Sequence, residues 1–84
     1  MSAIKVLLRT GDEPDRTAIL DLLASNKMEA DLTPSEFVVA EIDGQVVGAA
    51  RLEWEEQKAY VRPILVHSAW RGRNIGMALI LNFF

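Results

Sequence analysis

The sequence predicts an α+β domain in which helices pack on a mostly antiparallel sheet. Three observations indicate this class: an amphipathic helical pattern near the N-terminus, three successive strand-like segments after it, and an apolar helix at the C-terminal end. The predicted order of elements is β-α-β-β-β-α. Eighty-four residues suffice for one small domain, so we treat residues 1–84 as a single unit.

The first strand and the first helix are recognised by their ends. Ile4–Arg9 is apolar and partly β-branched, which is typical of a strand. Asp12 is suited to cap a helix, which we predict within Asp15–Asn26. Met28–Ser35 has mixed polarity and predicts a loop with at most one helical turn. Ile19, Leu22 and Leu23 recur at helical spacing and predict an apolar stripe along one side of the helix, which Leu20 widens.

A three-stranded meander follows. Phe37–Ile42 and Gln45–Glu55 are separated by Asp43-Gly44, a pair that supplies the positive φ angles of a two-residue hairpin turn. The third strand, Ala59–Val66, contains Pro63, which cannot donate to a neighbouring strand and indicates an edge strand or a bulge. Side chains that alternate strictly along Gln45–Glu55 would lie on two faces of the sheet. One face would hold Val46, Gly48, Ala50, Leu52 and Trp54, and the other Val47, Ala49, Arg51, Glu53 and Glu55.

The composition excludes several functional classes. Nine Lys and Arg against twelve Asp and Glu give a net charge of −3, which argues against a nucleic-acid partner. With no cysteine and only His67 among histidines, a thiolate or histidine metal site is not expected. No apolar run approaches the roughly 20 residues of a membrane span, and the N-terminal residues lack a signal-peptide pattern. We therefore expect a cytoplasmic protein with no metal and no membrane partner.

The segment Ile64–Leu79 carries the chemistry. It predicts a buried strand end, a short polar loop, and a glycine-containing turn into an apolar helix that starts near Arg73 and runs to the end. Such a turn presents free backbone N–H groups at the positive end of the helix dipole, where phosphate binds without a side chain. Arg71 and Arg73 add positive charge, and Gly72 and Gly76 let the backbone approach a ligand closely.

From the residues alone, the ligand is any phosphate compound. The turn lacks the three spaced glycines of the dinucleotide fingerprint and the Gly-Lys-Ser/Thr of a P-loop. The alternative is that Arg71 and Arg73 are ordinary surface charges. Trp54 and Trp70 are expected to pack rather than stack on bases, and His67 is expected to be a solvated loop residue.

The run Arg71-Gly72-Arg73-Asn74-Ile75-Gly76 resembles the Arg/Gln-x-x-Gly-x-Gly/Ala signature of the GNAT superfamily of N-acetyltransferases. The approach through Val66 and Trp70, and the order of the elements, are similar to the front half of that fold. Asn74 stands where the family usually has its first glycine. Asparagine is the next-best residue at positive φ, so the shape of the turn can be kept.

The resemblance implies an acetyl-CoA site, with acetyl-CoA as co-substrate, and direct transfer of its acetyl group to a primary amine of a small molecule or peptide. A bulge near Pro63 would leave an N–H to polarise the thioester carbonyl. The resemblance implies two sets of cofactor-binding residues, one for the pantetheine arm and one for the pyrophosphate: Ile64, Leu65 and Val66, and then Arg71, Gly72, Arg73, Asn74, Ile75 and Gly76.

The resemblance assigns no catalytic residue. One of Glu53, Glu55 and Glu56 is a candidate general base on the acceptor amine, and the alternative is that all three form a solvated strand edge and turn. The family often supplies a tyrosine acid from later strands, and this sequence offers no counterpart.

The C-terminal helix indicates that something covers it. Met77–Phe84 is apolar nearly all round, and such a helix is normally buried. GNAT domains continue past this helix, so the resemblance describes a domain that is incomplete relative to the family fold. We therefore expect a fragment of a longer domain, or a homodimer whose second copy covers the helix. The alternative function is a non-catalytic remnant that binds CoA or associates through this helix.

Overall fold

The computed structural model describes residues 5–29 and 32–83. Its strands form a four-stranded antiparallel sheet in the order β1-β2-β3-β4, with one helix on each face. The α+β class and the predicted order of elements are confirmed. The elements are β1 (Leu7–Thr10), α1 (Arg16–Ser25), β2 (Phe37–Ile42), β3 (Gln45–Glu55), β4 (Lys58–Val66) and α2 (Ile75–Leu81).

The start of α1 is built by two aspartates. The Asp12 side chain accepts the Glu13 N–H at 2.8 Å, and the Asp15 side chain accepts the Asp12 N–H at 2.8 Å. This capping box begins a 3-10 turn, Glu13–Asp15, that leads directly into α1. The predicted cap at Asp12 is therefore confirmed.

The end of α1 is a Schellman turn around Lys27, whose φ of 57° is left-handed. The Lys27 N–H donates to the Ala24 carbonyl at 3.1 Å, and the Met28 N–H donates to the Leu23 carbonyl at 2.9 Å. Asn26 is the C-cap residue, as its position in the sequence predicts. This network fixes where the last residues of α1 lie.

Two details near the N-terminus differ from the prediction. β1 begins at Leu7, whereas Lys5 and Val6 precede the strand and Ile4 lies outside the described residues. Leu20 is 48% exposed and does not widen the buried stripe, because one residue along a helix rotates the side chain by about 100° away from Ile19. The loop predicted before β2 contains a 3-10 turn, Pro34–Glu36.

The core has two layers, one on each face of the sheet. Each layer joins one helix to alternate residues of the strands, so the sheet is buried on both sides. The layer under α1 consists of Ile19, Leu22, Leu23, Phe37, Val39, Ala49 and Leu65. The layer under α2 consists of Ala40, Ile42, Val47, Ala50, Ile75 and Leu79.

The β2–β3 hairpin contains a bulge. Its turn is the predicted one, since Asp43 and Gly44 have φ angles of 51° and 79°. Ala40 lies opposite Gly48, but the next residue of β2, Glu41, lies opposite Val46. β3 therefore carries one extra residue, which is Val47.

The bulge changes which side chains share a face. Val47 and Gly48 both face α2, whereas Val46 and Ala49 face α1. The prediction that Val46 shares a face with Gly48, and Val47 with Ala49, is wrong. The extra residue shifts the alternation of side chains by one position.

A second bulge lies in β4. Ala50 lies opposite Ile64, and Leu52 lies opposite Val61. β4 therefore has two residues, Arg62-Pro63, where β3 has one. β4 is also at the edge of the described sheet, so both features that Pro63 indicates are present.

α2 begins at Ile75, two residues later than predicted. Gly72 and Asn74 have φ angles of 79° and 63°, and left-handed residues cannot continue a right-handed helix. The helix ends at Leu81, and Phe84 lies outside the described residues.

Candidate coenzyme and acceptor site

The outer edge of β4 presents backbone groups that β3 does not use. The His67 N–H donates to the Val47 carbonyl of β3 at 2.8 Å. Because successive residues of an antiparallel strand point their N–H groups to opposite sides, Leu65 also faces β3, whereas Ile64 and Val66 face outward. The Leu65 side chain is fully buried in the layer under α1. The outer edge of β4 therefore presents two N–H groups, those of Ile64 and Val66, on the side away from β3.

The turn after β4 is shaped by its two left-handed residues. Gly72 has φ 79° and Asn74 has φ 63°, and Asn74 is the N-cap of α2. Alternation of ordinary and left-handed residues bends a backbone into a concave row of N–H groups that suits anions. The prediction that Asn74 can replace glycine at positive φ is confirmed.

Arg71 lies against the end of α1. Its Nη2 donates to Oδ1 of Asn26 at 2.8 Å, and its Nε donates to the Val66 carbonyl at 3.4 Å. Since the Val66 carbonyl points away from β3, the guanidinium lies at the outer edge of the sheet. The side chain remains exposed to solvent.

Arg73 takes a different direction. Its guanidinium carbon lies 5.1 Å from the centre of the Trp70 ring, a cation–π distance. Trp70 packs against the core layer under α2, so the prediction of a packing role is confirmed for this residue. The two arginines predicted for one phosphate site are thus held by different neighbours.

Gly76 lies in the first turn of α2, where it faces β4. A Cβ at this position would be 3.7 Å from a methyl carbon of Ile64 and 3.8 Å from one of Val66, which are ordinary contact distances. A small side chain therefore fits between α2 and the strand end.

A groove of about 260 Å³ opens at the β4 bulge, on the side of α1. Arg62 donates to Glu55 at 2.6 Å and to Glu53 at 3.4 Å, and its guanidinium lies 4.8 Å from the centre of the Tyr60 ring. The Glu55 and Glu53 carboxylates raise the pKa of Arg62 above its usual value. The residues that line the groove are Met28, Glu29, Arg51, Glu53, Arg62 and Pro63.

These features together form a strand edge with outward N–H groups, a turn with two left-handed residues beyond its end, and a charged groove beside its bulge. The model of the acetyltransferase (GNAT) family matches residues 5–83. The chain belongs to the GNAT acetyltransferase family.

Solved GNAT structures share its fold. N-acetylglutamate synthase from Neisseria gonorrhoeae, complexed with coenzyme A and N-acetyl-glutamate, has a TM-score of 0.79 at 19% identity over 98% of this chain and 22% of that chain. Diaminobutyrate acetyltransferase from Paenibacillus lautus, in complex with L-2,4-diaminobutyric acid and coenzyme A, has a TM-score of 0.75 at 18% identity, over 95% of this chain and 57% of that one. The chain therefore spans well under two thirds of these structures, and its core is short relative to a full GNAT fold. No curated protein sequence gives a significant match.

Of the three glutamates that are candidates for the general base, one lines the groove. Glu53 lines the groove beside the bulge. Glu55 pairs with Arg62 and is exposed, and Glu56 lies in the β3–β4 turn with a φ of 58°. Glu53 also lies 3.6 Å from Arg51 and 3.4 Å from Arg62, so its carboxylate sits between two guanidinium groups.

Two further expectations about side chains have mixed outcomes. His67 is half-buried rather than solvated, since its Nδ1 accepts the Ala69 N–H at 3.1 Å and caps the turn Ser68–Trp70. Trp54 is 67% exposed, so the prediction of a packing role is wrong for this residue. Trp54 lies opposite Ala59 near the β3–β4 turn, and neither residue belongs to the two core layers.

The end of α1 contributes residues that the sequence alone does not point to. Asn26 bonds to Arg71, which lies 45 residues later, and Met28 and Glu29 line the groove. No short-range pattern signals such a contact. Across residues 5–29 and 32–83 there is no cluster of three metal-ligating side chains, and no helix there is long and apolar enough to cross a membrane.

Proposed function

We propose that the chain forms the front part of a single GNAT domain, residues 1–84, and takes part in acetyl-CoA-dependent N-acetylation of a primary amine. The observation that carries the proposal is the turn Arg71–Gly76, whose two left-handed residues follow an edge strand with outward N–H groups. A cytoplasmic location belongs to the same proposal.

The pantetheine arm of acetyl-CoA would lie along the outer edge of β4. Pantetheine contains two amides, which can accept from the N–H groups of Ile64 and Val66 as an added strand would. The side chain of Leu65 would support this edge from within the core. This assignment uses the three strand residues in different ways, two as donors and one as packing.

The pyrophosphate would occupy the concave side of the turn. Backbone N–H groups from Arg71, Gly72, Arg73, Asn74, Ile75 and Gly76 are the proposed donors, and Arg71, whose guanidinium is held by Asn26 and the Val66 carbonyl, is proposed to supply positive charge. Arginine suits this role because its planar fork matches phosphate oxygens. The turn contains no acidic residue that would repel the ligand.

The acceptor amine would enter the groove beside Pro63. Direct transfer requires that the amine nitrogen attack the thioester carbonyl, that the amine lose a proton, and that the CoA thiolate leave. Glu53 lines the groove and pairs with Arg62 of the bulge in β4, and it is the proposed acceptor of that proton. The chain's contribution is mainly positioning of the two reactants.

The acceptor class follows from the charges of the groove. Arg51 and Arg62 suit a carboxylate, and Glu53 and Glu29 suit an ammonium group, so an amino acid fits better than a simple amine. The two structural neighbours described above hold N-acetyl-glutamate and L-2,4-diaminobutyric acid. We therefore propose small amino acids as the first acceptors to test, with peptide amines next.

Acetyl-CoA binding can be measured by thermal unfolding. At about a hundredfold excess over the dissociation constant, a ligand stabilises the folded protein by roughly 2.7 kcal/mol. Arg71→Ala and Gly76→Asp are expected to reduce this gain. Gly76→Asn is the matched control for the second variant, because it has the size of aspartate without the charge. A wild-type protein that shows no shift contradicts the proposal.

Turnover can be followed as release of free CoA thiol. The chain contains no cysteine, so a thiol reagent reports CoA alone. L-glutamate, L-2,4-diaminobutyrate and spermidine, offered separately, would separate amino acids from plain polyamines. Glu53→Gln is expected to lower kcat at neutral pH if Glu53 takes the proton.

The second candidate function is a non-catalytic CoA-binding or association module. The apolar face of α2 favours it, since Met77 and Leu81 are 55% and 62% exposed. Binding of acetyl-CoA without thiol release for any amine would support this alternative over the enzyme.

A further inference from the structure

The side chain of Asn26 is held in one orientation. Its Nδ2 donates to the Leu22 carbonyl at 2.8 Å and to Oγ of Ser25 at 3.4 Å, both within the last turn of α1. Since the amide nitrogen points back to the helix, the amide oxygen Oδ1 points away from it. This oxygen accepts the bond from Arg71.

The backbone that carries Asn26 is also fixed. The Asn26 N–H donates to the Leu22 and Leu23 carbonyls at 3.1 and 3.2 Å, and the Schellman turn at Lys27 closes the helix just beyond it. Ile19, Leu22 and Leu23 anchor α1 to the sheet. The amide oxygen of Asn26 is therefore a rigid acceptor placed beside the β4 edge.

Arg71 is held between two acceptors on separate elements. One is Asn26 on α1, at 2.8 Å, and the other is the Val66 carbonyl at the end of β4, at 3.4 Å. A guanidinium has five N–H donors, so these bonds leave donors available for a ligand. The exposed position of Arg71 leaves them facing solvent at the mouth of the turn.

We infer that Asn26 is a positioning residue, which holds the Arg71 guanidinium ready for the pyrophosphate of acetyl-CoA. The inference rests on the proposed function, because it concerns the same site. A long arginine side chain otherwise loses rotamer freedom when a ligand binds. Asn26 removes that freedom before binding, and being uncharged it leaves the positive charge of Arg71 uncancelled.

The test is a double-mutant cycle on acetyl-CoA affinity, measured by calorimetry. Asn26→Ala is expected to weaken binding about three- to tenfold, the cost of ordering one long side chain. In an Arg71→Ala background the same substitution is expected to have no further effect. A purely structural role for Asn26 would cost the same factor in both backgrounds, and that result would overturn the inference.

Two further variants sharpen the test. Asn26→Ser keeps an uncharged polar side chain but shortens it, so its oxygen lies too far back to hold Arg71, and it is expected to weaken acetyl-CoA binding as alanine does. This variant enters the same cycle and keeps the inference testable if Asn26→Ala unfolds. Asn82→Ala, at the C-cap of α2, is the matched control and is expected to bind as the wild type does.

Failure of the proposed function and failure of the positioning role of Asn26 give different results. A wild-type protein that does not bind acetyl-CoA overturns the proposed function itself. A wild type that binds, together with an Asn26→Ala variant of equal affinity, overturns only the positioning role of Asn26.

Discussion

Several single residues adopt backbone conformations that cost free energy, and each lies where the chain reverses. Lys27 and Asn74 are two of them, with φ angles of 57° and 63°. Asparagine tolerates the left-handed region better than lysine does, because its short side chain bonds locally. The left-handed conformation therefore costs more free energy at Lys27 than at Asn74.

Replacing Lys27 with glycine should stabilise the protein. The Schellman turn needs a left-handed residue, and glycine adopts it without a Cβ penalty, so we expect a gain of up to about 1 kcal/mol in the free energy of unfolding. Urea denaturation measures it. Lys27→Ala removes the same charge but keeps the Cβ, and a gain of equal size in that variant would contradict the conformational explanation.

Asp15 is the buried charge of the described core. It is 7% exposed, and its carboxylate accepts from Arg9 at 2.7 and 2.9 Å. The hydrogen bond from Arg9 holds the pKa of Asp15 below its usual value. We expect Asp15→Asn to lower the free energy of unfolding by about 1.5–3 kcal/mol at pH 7, the loss of hydrogen bonds to a charged group.

The same pair makes stability depend on pH. Because the pKa of Asp15 is lowered by folding, its contribution is complete above the unfolded value of about 3.9 and is lost as the pH falls through the lower folded value. The stability gap between wild type and Asp15→Asn should therefore narrow in that acidic window. Glu13→Gln is the comparison: the hydrogen bond from Arg16 also lowers the pKa of Glu13, but solvent screens this exposed pair, so its removal should change the pH profile less than Asp15→Asn does.

At the scale of elements, the packing of α2 on the sheet depends on Gly48. A Cβ at this position would lie 3.0 Å from the Leu65 carbonyl oxygen, 3.1 Å from Ile75 and 3.2 Å from Leu79. The Leu65 oxygen belongs to the backbone of a paired strand, so the methyl groups of Ile75 and Leu79 must give way by a few tenths of an ångström within a closely packed layer. We expect Gly48→Ala to cost about 1–3 kcal/mol of stability, as overpacked cores do.

Gly76 provides the opposite case on the same element. Its position in α2 leaves ordinary contact distance for a Cβ, and alanine favours a helix over glycine by about 0.5–1 kcal/mol. Gly76→Ala should therefore raise the midpoint of thermal unfolding, while Gly48→Ala lowers it. Equal effects of the two substitutions would show that α2 is not seated on the sheet as described.

These elements differ in how far the sequence predicts them. The Asp43-Gly44 hairpin is predictable because its conformational demand is met by those two residues themselves. The bulge at Val47 is not, since valine fits either face of a buried sheet and the extra residue has no local signal. The conformation of the turn proposed to bind phosphate is likewise local, whereas the bond from Arg71 to Asn26 depends on how α1 packs.

At the scale of the whole molecule, one short segment of chain joins the two parts of the proposed site. Asn26 contacts Arg71 beside the turn, and two residues later Met28 and Glu29 line the groove at the bulge. The Schellman turn between them sets the relative placement of both contacts. A substitution at the end of α1 is therefore expected to affect the proposed coenzyme site and the proposed acceptor groove together, although the turn and the bulge lie far from α1 in the sequence.

The apolar surface of α2 governs how the whole molecule behaves in solution. Met77 and Leu81 lie four residues apart and so share one exposed face of the helix, opposite the buried Ile75 and Leu79. Either a second copy or another surface is needed to remove this face from water. We expect the chain to self-associate with increasing concentration, or to bind an apolar dye where it stays monomeric.

Replacing both Met77 and Leu81 with glutamine should reduce self-association and dye binding, whereas Leu20→Gln, at an isolated exposed leucine on α1, should change neither. Sedimentation across a concentration series, with dye fluorescence in parallel, measures this, and a monomer at all concentrations without dye binding would show that the face needs no cover.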